Sequence, residues 1–475
     1  MNAEDRRKLL EQFAELATDG GADAARSPNL FLPLPQHRLA LRPETVVIEG
    51  ARGAGKTALF NLVTGLGAKL RELYDDRAIP EARWVDAFSG AIEHPQAAVL
   101  DGLSGSFERD ASLRAFWMAH LLGRLTDAEI PGASLPEALA RERKGQEANP
   151  AAWVSWCEAN AGLVMNGLDA IERALAAKKA TVFATYDALD RIGDLDRAHR
   201  QRQVRALLSL WLSLSDRYRQ LRAKVFLRHD LFEEAEHGFA DASKLRPRSV
   251  ALDWNVESLF RLVVRHLANA GRYSKVAREW LDGIEGLRLE DRGAFGWMPG
   301  EMGEEVRKAF AVELAGEVMG AGAKKGYTHK WIPDRLRDAD GRIVPRSILR
   351  LLSEAAKHAL LAPRGTGPLM NPTDLTAALV ETSKQRSNEL AEEYAVVARL
   401  ENLRGRTMLM ARGEVIAALG RPTLRDKLTM DGEGVFDELR RTGVLEVRRD
   451  GRIDVPDIYR YGYGIKRKGG ARRLK

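Results

Sequence analysis

Residues 50–57 read Gly-Ala-Arg-Gly-Ala-Gly-Lys-Thr, a complete G-x-x-x-x-G-K-[ST] pattern. The apolar run Thr45-Val46-Val47-Ile48 precedes it and Ala58-Leu59-Phe60-Asn61-Leu62-Val63 follows it. A strand, a glycine-rich turn and a helix in that order let backbone N–H groups converge on an anion, while the helix N-terminus adds its positive end. On this reading Gly50, Gly53, Ala54, Gly55 and Ala58 shape the loop. Lys56 reaches the β- and γ-phosphates, and Thr57 sets its hydroxyl on Mg²⁺. The expected ligands are ATP and Mg²⁺. The competing reading, a flexible turn with a solvated lysine, leaves the flanking strand and helix patterns unexplained.

At 475 residues the chain exceeds what one core organises, and two to four domains are expected. Hydrophobic residues at 45% and charged residues at 30% describe an ordinary soluble composition. The longest apolar stretches, such as residues 206–214, fall short of the roughly 20 residues that span a bilayer, so no membrane partner is expected. Glu4, Asp5, Arg6, Arg7 and Lys8 open the chain without an apolar h-region, which argues against a secretory signal. Cys157 is the single cysteine, excluding an internal disulfide and a cysteine-based zinc site. A cytoplasmic location fits these features. The net charge of +7 is unevenly placed: Lys466, Arg467, Lys468, Arg472, Arg473 and Lys475 crowd the last ten residues with no acid. Such a tail is either a solvated end or, after a folded basic module, a contact for phosphates.

Along the chain, residues 1–28 read as an N-terminal helix ending in Gly20-Gly21 and Ser27-Pro28 breaks. Residues 29–255 read as an α/β core, a parallel sheet alternating with helices. Its further strands are expected at residues 83–88, 180–186, 224–227 and 249–254, and Phe116, Trp117, Trp153 and Trp156 fall on helical core faces. The strand at 180–186 delivers Asp187, placed to hold the Mg²⁺ water shell opposite Thr57. The next residue is Ala188, where many ATPases carry an acid that orients the attacking water. Asp190 either takes that role or forms a helix-starting pair with Arg191. Arg228 closes the strand 224–227 on the same crevice, as a γ-phosphate sensor or as a surface arginine.

Residues 256–400 read as a helical lid, interrupted at residues 331–345, where Pro345 starts a helix carrying Arg346. Arg346 is placed to offer a cation to nucleotide. Residues 401–463 change character: helices at 408–419 and 431–441 precede a hairpin turning at Asp450-Gly451, which together suggest a winged helix. Residues 464–475 form the basic tail. The expected fold class is thus a P-loop NTPase parallel sheet with a helical lid and a C-terminal winged-helix domain.

Tyr186-Asp187-Ala188-Leu189-Asp190-Arg191 resembles the Asp-Asp-Leu-Asp-Arg segment of KAP-type and related STAND P-loop ATPases. Pro345-Arg346 followed by Ser-Ile-Leu-Arg resembles the sensor-arginine helix of KAP and origin-recognition-like AAA+ proteins, and Arg228 is similar to the STAND sensor arginine. The resemblance implies a nucleotide-dependent switch that hydrolyses ATP slowly, forms homo-oligomers, works with a protein partner encoded beside it and, in bacteria, serves in defence against mobile elements. It departs from KAP proteins in lacking inserted membrane helices and from active hydrolases at Ala188. Two other classes stay open: a DNA-handling AAA+ ATPase of initiator or transposition-helper type, gripping DNA through the winged helix and basic tail, and a non-hydrolytic scaffold.

Overall fold

A computed structural model describes residues 1–16, 27–90, 110–144, 150–192, 197–236, 238–239, 241–320, 322–362, 365–392, 394–424 and 429–467. The chain divides into two compact units with a boundary between Asp253 and Trp254, and the N-terminal helix belongs with the C-terminal half.

The first unit, from Pro33 to Asp253, is built on five parallel strands: β1 (Val47–Glu49), β2 (Ala82–Phe88), β3 (Thr181–Tyr186), β4 (Leu221–Leu227) and β5 (Ser249–Ala251). Their order across the sheet is β2-β3-β4-β1-β5. The strand following the phosphate loop's own strand in space is therefore β4, which separates β1 from β3. β-Branched and aromatic residues dominate these strands, and both faces are covered, as a parallel sheet requires. On one face Val85, Ala184, Tyr186 and Val225 pack against Trp117, Leu121 and Trp211 from the helices Asp110–Asp127 and Arg197–Arg217. The ring edges of Trp117 and Trp211 both meet Tyr186. On the other face the helix Lys56–Leu66 packs Phe60 onto Phe226, and Trp84 stacks on Phe183 at 4.4 Å. Lys224 is fully buried on this face; its ammonium donates to the carbonyls of Arg42 and Thr45 and lies 4.8 Å over the Phe183 ring.

The second unit combines the helix Ala3–Ala14 with residues from Trp254 onward. The N-terminal helix is shorter than the sequence suggests and buries Leu9, Leu10 and Phe13 against the helix Pro345–Leu361. The helix Val256–Asn269 carries Arg265, whose guanidinium donates to the carbonyls of Phe31, Trp297, Pro28 and Phe295. The expected interruption at 331–345 begins later than expected: the helix Thr328–Leu336 covers its first six residues with Pro333 inside, where Ile332, Pro333 and Leu336 are buried, and residues 337–344 form the break before the helix at Pro345. Burial overrides the local cost of the missing N–H there. An unforeseen hairpin pairs Leu289–Asp291 with Trp297–Pro299.

The C-terminal segment has winged-helix order: a 3₁₀ helix Ala395–Leu403, a strand Thr407–Met408, helices Arg412–Leu419 and Gly432–Arg441, and a hairpin Glu446–Val447/Ile453–Asp454. Gly451 makes the hairpin turn at φ 79°, a conformation that a side chain would strain. Lys466 and Arg467, expected in the basic tail, instead form a strand paired with Thr407 and Met408. The remainder of the tail, Lys468, Arg472, Arg473 and Lys475 included, lies outside the described residues.

Candidate nucleotide site

The phosphate loop is anchored at both ends. Gly50 donates its N–H to the carbonyl of Leu227 at the end of β4, and Leu59 closes the first helical turn onto Gly55. Gly53 and Gly55 have φ of 81° and 96°, left-handed values that curl the main chain around an anion-sized space. A Cβ at Gly50 would stand 3.1 Å from the Ala54 side chain, so the close approach also needs glycine there. Ala54 is buried within the turn and Ala58 lies in the first turn of the helix. The ammonium of Lys56 donates to the carbonyls of Gly50 (2.8 Å) and Ala51 (3.0 Å), folded back across its own loop.

β3 carries Asp187 to the same place. Its carboxylate, 6% exposed, has the Thr57 hydroxyl and the Lys56 charge as neighbours that favour its ionised form. Burial pushes its pKa above the ordinary aspartate value, against the pull of Thr57, the Ala188 N–H and Lys56, with Asp190 adding to the rise. A hydroxyl and a carboxylate joined at a helix N-terminus, beside a lysine, form an oxygen pair suited to a hydrated magnesium ion that takes its other ligands from phosphate and water. No cluster of three or more His, Cys, Asp or Glu side chains exists among the described residues, so a fully protein-built metal cage is not present among them.

Ala188 adopts φ 57° and starts the one-turn helix Leu189–Arg191. Asp190 lies on that turn; its charge reaches Asp187, and its main-chain carbonyl accepts from Arg200 at 3.1 Å. Arg228 ends β4, between the phosphate loop and Asp187 in strand order, and is 7% exposed. Its guanidinium is held in a fork by Asp230, at 3.1 and 2.7 Å. The residue is therefore buried and paired at the end of its strand, and it is no surface arginine. Arg346 sits in the other unit, where it shares Glu389 with Arg350 and Arg386 at 3.5, 2.8 and 3.6 Å.

Sequence reasoning missed two groups at this sheet end. Glu49, the residue before the loop, is buried and pairs with His229 (2.9 Å) and Arg246 (3.3 Å). Burial raises its pKa, but the hydrogen bond to His229, the charge of Arg246 and the Ser249 hydroxyl outweigh it and hold the carboxyl below the usual range. Asp86 on β2 is the other, and it had no flanking motif to mark it.

No protein-family model matches the chain, and no curated protein matches it. Among solved structures it is similar to the ORC2 protein of Aeropyrum pernix in ADPNP and ADP complexes, at 10% identity over 92% of this chain and 88% of that one, with a TM-score of 0.30. It is also similar to the Aeropyrum pernix ORC1 protein in complex with DNA, at 15% identity over 91% and 93%, with a TM-score of 0.33. Scores this low mean that the folds do not superpose as wholes, so the functional reading stands on the geometry of the site.

Proposed function

We propose that the chain is an ATP-binding switch of the STAND/KAP type that hydrolyses ATP slowly. The observation that carries this is the placement of Asp187, at the end of its strand, beside Thr57 and Lys56 of the glycine-rich loop, because such a trio would join the phosphate-binding and metal-binding parts of one site. Lys56 and the loop N–H groups would hold the phosphates; Thr57 and Asp187 would hold magnesium, which when bound neutralises charge on the β- and γ-phosphates. Arg228 reads the γ-phosphate, and Arg346 couples it to the helical unit. Catalysis of this kind is positioning and charge neutralisation, with little covalent work for the protein. Action as a homo-oligomer, with an adjacent-gene partner, in defence against mobile elements, is part of the proposal and is supported by the motif resemblance alone.

A second reading, a DNA-handling ATPase, is favoured by charge. Residues 401–475 hold 18 Lys and Arg against 11 Asp and Glu, so the chain's whole excess of +7 lies in the winged helix and tail. Arg404, Lys466 and the wing-tip Arg449 are exposed and form no ion pair with a described residue. The helix Gly432–Arg441 presents Glu433 and Asp437 to solvent, which suits phosphate contacts at the strand edge and wing better than base reading by that helix.

The test is steady-state ATP turnover with and without duplex DNA, alongside Lys56→Ala. Loss of nucleotide binding in a folded Lys56→Ala variant supports the site, and unchanged binding refutes it. Turnover that rises with DNA and falls steeply with salt favours the second reading.

A further inference from the structure

Ala188 leaves the strand end without the acid that commonly orients the attacking water, yet another carboxylate lies close by. In the parallel register of β2 and β3, Asp86 pairs with Thr185, so both side chains leave the same face of the sheet, the face on which Asp187 follows two residues later. That face is covered by the helix of the phosphate loop. Its first turn meets Asp187 through Thr57, and at its far end the Gly67 backbone lies against Trp84, two residues before Asp86 on β2. Asp86 therefore sits under the helix between those two contacts. The strand ends are joined as well, because Asp187 donates its N–H to the carbonyl of Phe88 at 2.7 Å.

The carboxyl of Asp86 is tied to the residue just past the C-terminal end of its strand. Its Oδ2 accepts the hydroxyl of Ser89, the first residue past β2, at 2.7 Å. Its Oδ1 is buried and has no hydrogen-bond partner among the described residues. A buried carboxylate oxygen without a partner is costly, and such atoms are expected where a ligand or ordered water completes the site. Burial, countered by Ser89 and Arg124 and reinforced by the negative charge of Asp187, raises the pKa of Asp86 and makes it a stronger proton acceptor than an exposed aspartate.

We propose that Asp86 supplies the carboxylate absent at Ala188: its unpartnered Oδ1 accepts a hydrogen bond from the water that attacks the γ-phosphate, and the Ser89 hydroxyl fixes the carboxyl for that task. The inference rests on the nucleotide reading given above. In the step, the water oxygen bonds to the γ-phosphorus, and the bond from that phosphorus to the bridging oxygen breaks with its electron pair leaving on ADP. The water proton passes to Asp86, which later returns it to phosphate or solvent. Asp190, on a one-turn helix and without a buried orphan oxygen among the described atoms, is then dispensable for this step.

The experiment compares Asp86→Asn, Asp190→Asn and Ser89→Ala with the unmodified chain, using a non-hydrolysable ATP analogue, ADP with aluminium fluoride as mimic of the transferring phosphoryl group, and single-turnover hydrolysis. Asp86→Asn is expected to bind the ATP analogue within about 3-fold of the unmodified chain, to lose about 10-fold or more in affinity for the aluminium fluoride complex, and to hydrolyse about 100-fold more slowly. Asp190→Asn changes each by less than about 3-fold, and Ser89→Ala, which frees the carboxyl but keeps it, weakens the aluminium fluoride complex by about 5-fold. Should Asp86→Asn fail to fold, Ser89→Ala decides. Retention of full aluminium fluoride affinity in both Asp86→Asn and Ser89→Ala, loss of it in Asp190→Asn, or no preference of the unmodified chain for that complex over ADP overturns the proposal. Lys56→Ala serves as a separate control: if it binds nucleotide normally, the phosphate-loop reading itself fails, a result distinct from any of these.

Discussion

Asp454 and Asp457, in the unit that ends in the winged helix, are fully buried and wrapped in guanidinium groups, whereas in the sheet unit Asp86 is buried with one carboxyl oxygen unpartnered among the described residues and Asp187 is buried with its pKa raised. Asp454 takes Arg448, Arg467 and the N–H of Val455; Asp457 takes Arg335, Arg467 and both Nε and Nη2 of Arg460 at 2.9 and 2.7 Å. Carboxylates so saturated tie chain segments together and have no capacity left for a ligand. Asp187, by contrast, keeps a pKa raised by burial and has no guanidinium bound to it among the described residues, a condition common at functional sites. The contrast separates scaffold from site without reference to any motif.

The largest expected break in that contrast is Asp457→Ala. It leaves Arg335 and Arg460 without their buried counter-charge and should cost about 3–5 kcal/mol in denaturant unfolding of the second unit. A loss below about 1 kcal/mol would show that the arginines find water instead. Asp187→Asn should do the reverse. Because the folded-state pKa lies above the unfolded value, the charged form is the strained one at neutral pH, so the amide variant should be at least as stable as the unmodified chain at pH 7. That advantage should shrink as pH falls toward the unfolded value near 4, where the aspartate becomes neutral in both states. Magnesium-dependent turnover should meanwhile drop by about two orders of magnitude, near 3 kcal/mol. Equal turnover in the variant refutes the metal role.

Lys224→Met sharpens the comparison from the cation side. The buried ammonium, its pKa depressed by burial, faces two carbonyls and a ring with no acid in hydrogen-bond contact among the described residues. Removing it should cost about 1–3 kcal/mol, because the carbonyls of Arg42 and Thr45 lose their donor at the entry to β1. Hydrogen exchange at β1 would register it first. The smallest effect is expected from Arg346→Ala. Arg350 and Arg386 stay on Glu389, so stability should change by less than about 1 kcal/mol. A fall in ATP turnover without a fall in stability identifies Arg346 as a reader of nucleotide; unchanged turnover removes it from that role.

The sheet was legible where signals are local and contiguous. The glycines of the phosphate loop, the apolar run ending at Asp187 and the run ending at Arg228 each place a candidate side chain at the end of its own strand, and each strand stands where the pattern puts it. The hairpin at Asp450-Gly451 was legible for the same reason. Asp86 was not, because its meaning comes from lateral pairing with Thr185, some hundred positions away, and from an oxygen left without a partner. The arginine network at Asp457 was hidden likewise: Arg335 lies 122 residues from it. Pro333 misled because its backbone rule is local while the burial that overrides it is not.

The helix Ala3–Ala14 is made long before the helix it packs against. Phe13 and Leu10 are buried against a helix that begins at Pro345, and Ser353 donates to the carbonyl of Ala14 at 2.7 Å. At about 5–20 residues per second, ribosomal synthesis leaves that apolar stripe uncovered for roughly 20–70 s. The sheet unit, a continuous insertion, can close on itself meanwhile. The nascent chain thus carries a closed sheet unit and an uncovered apolar stripe at the same time.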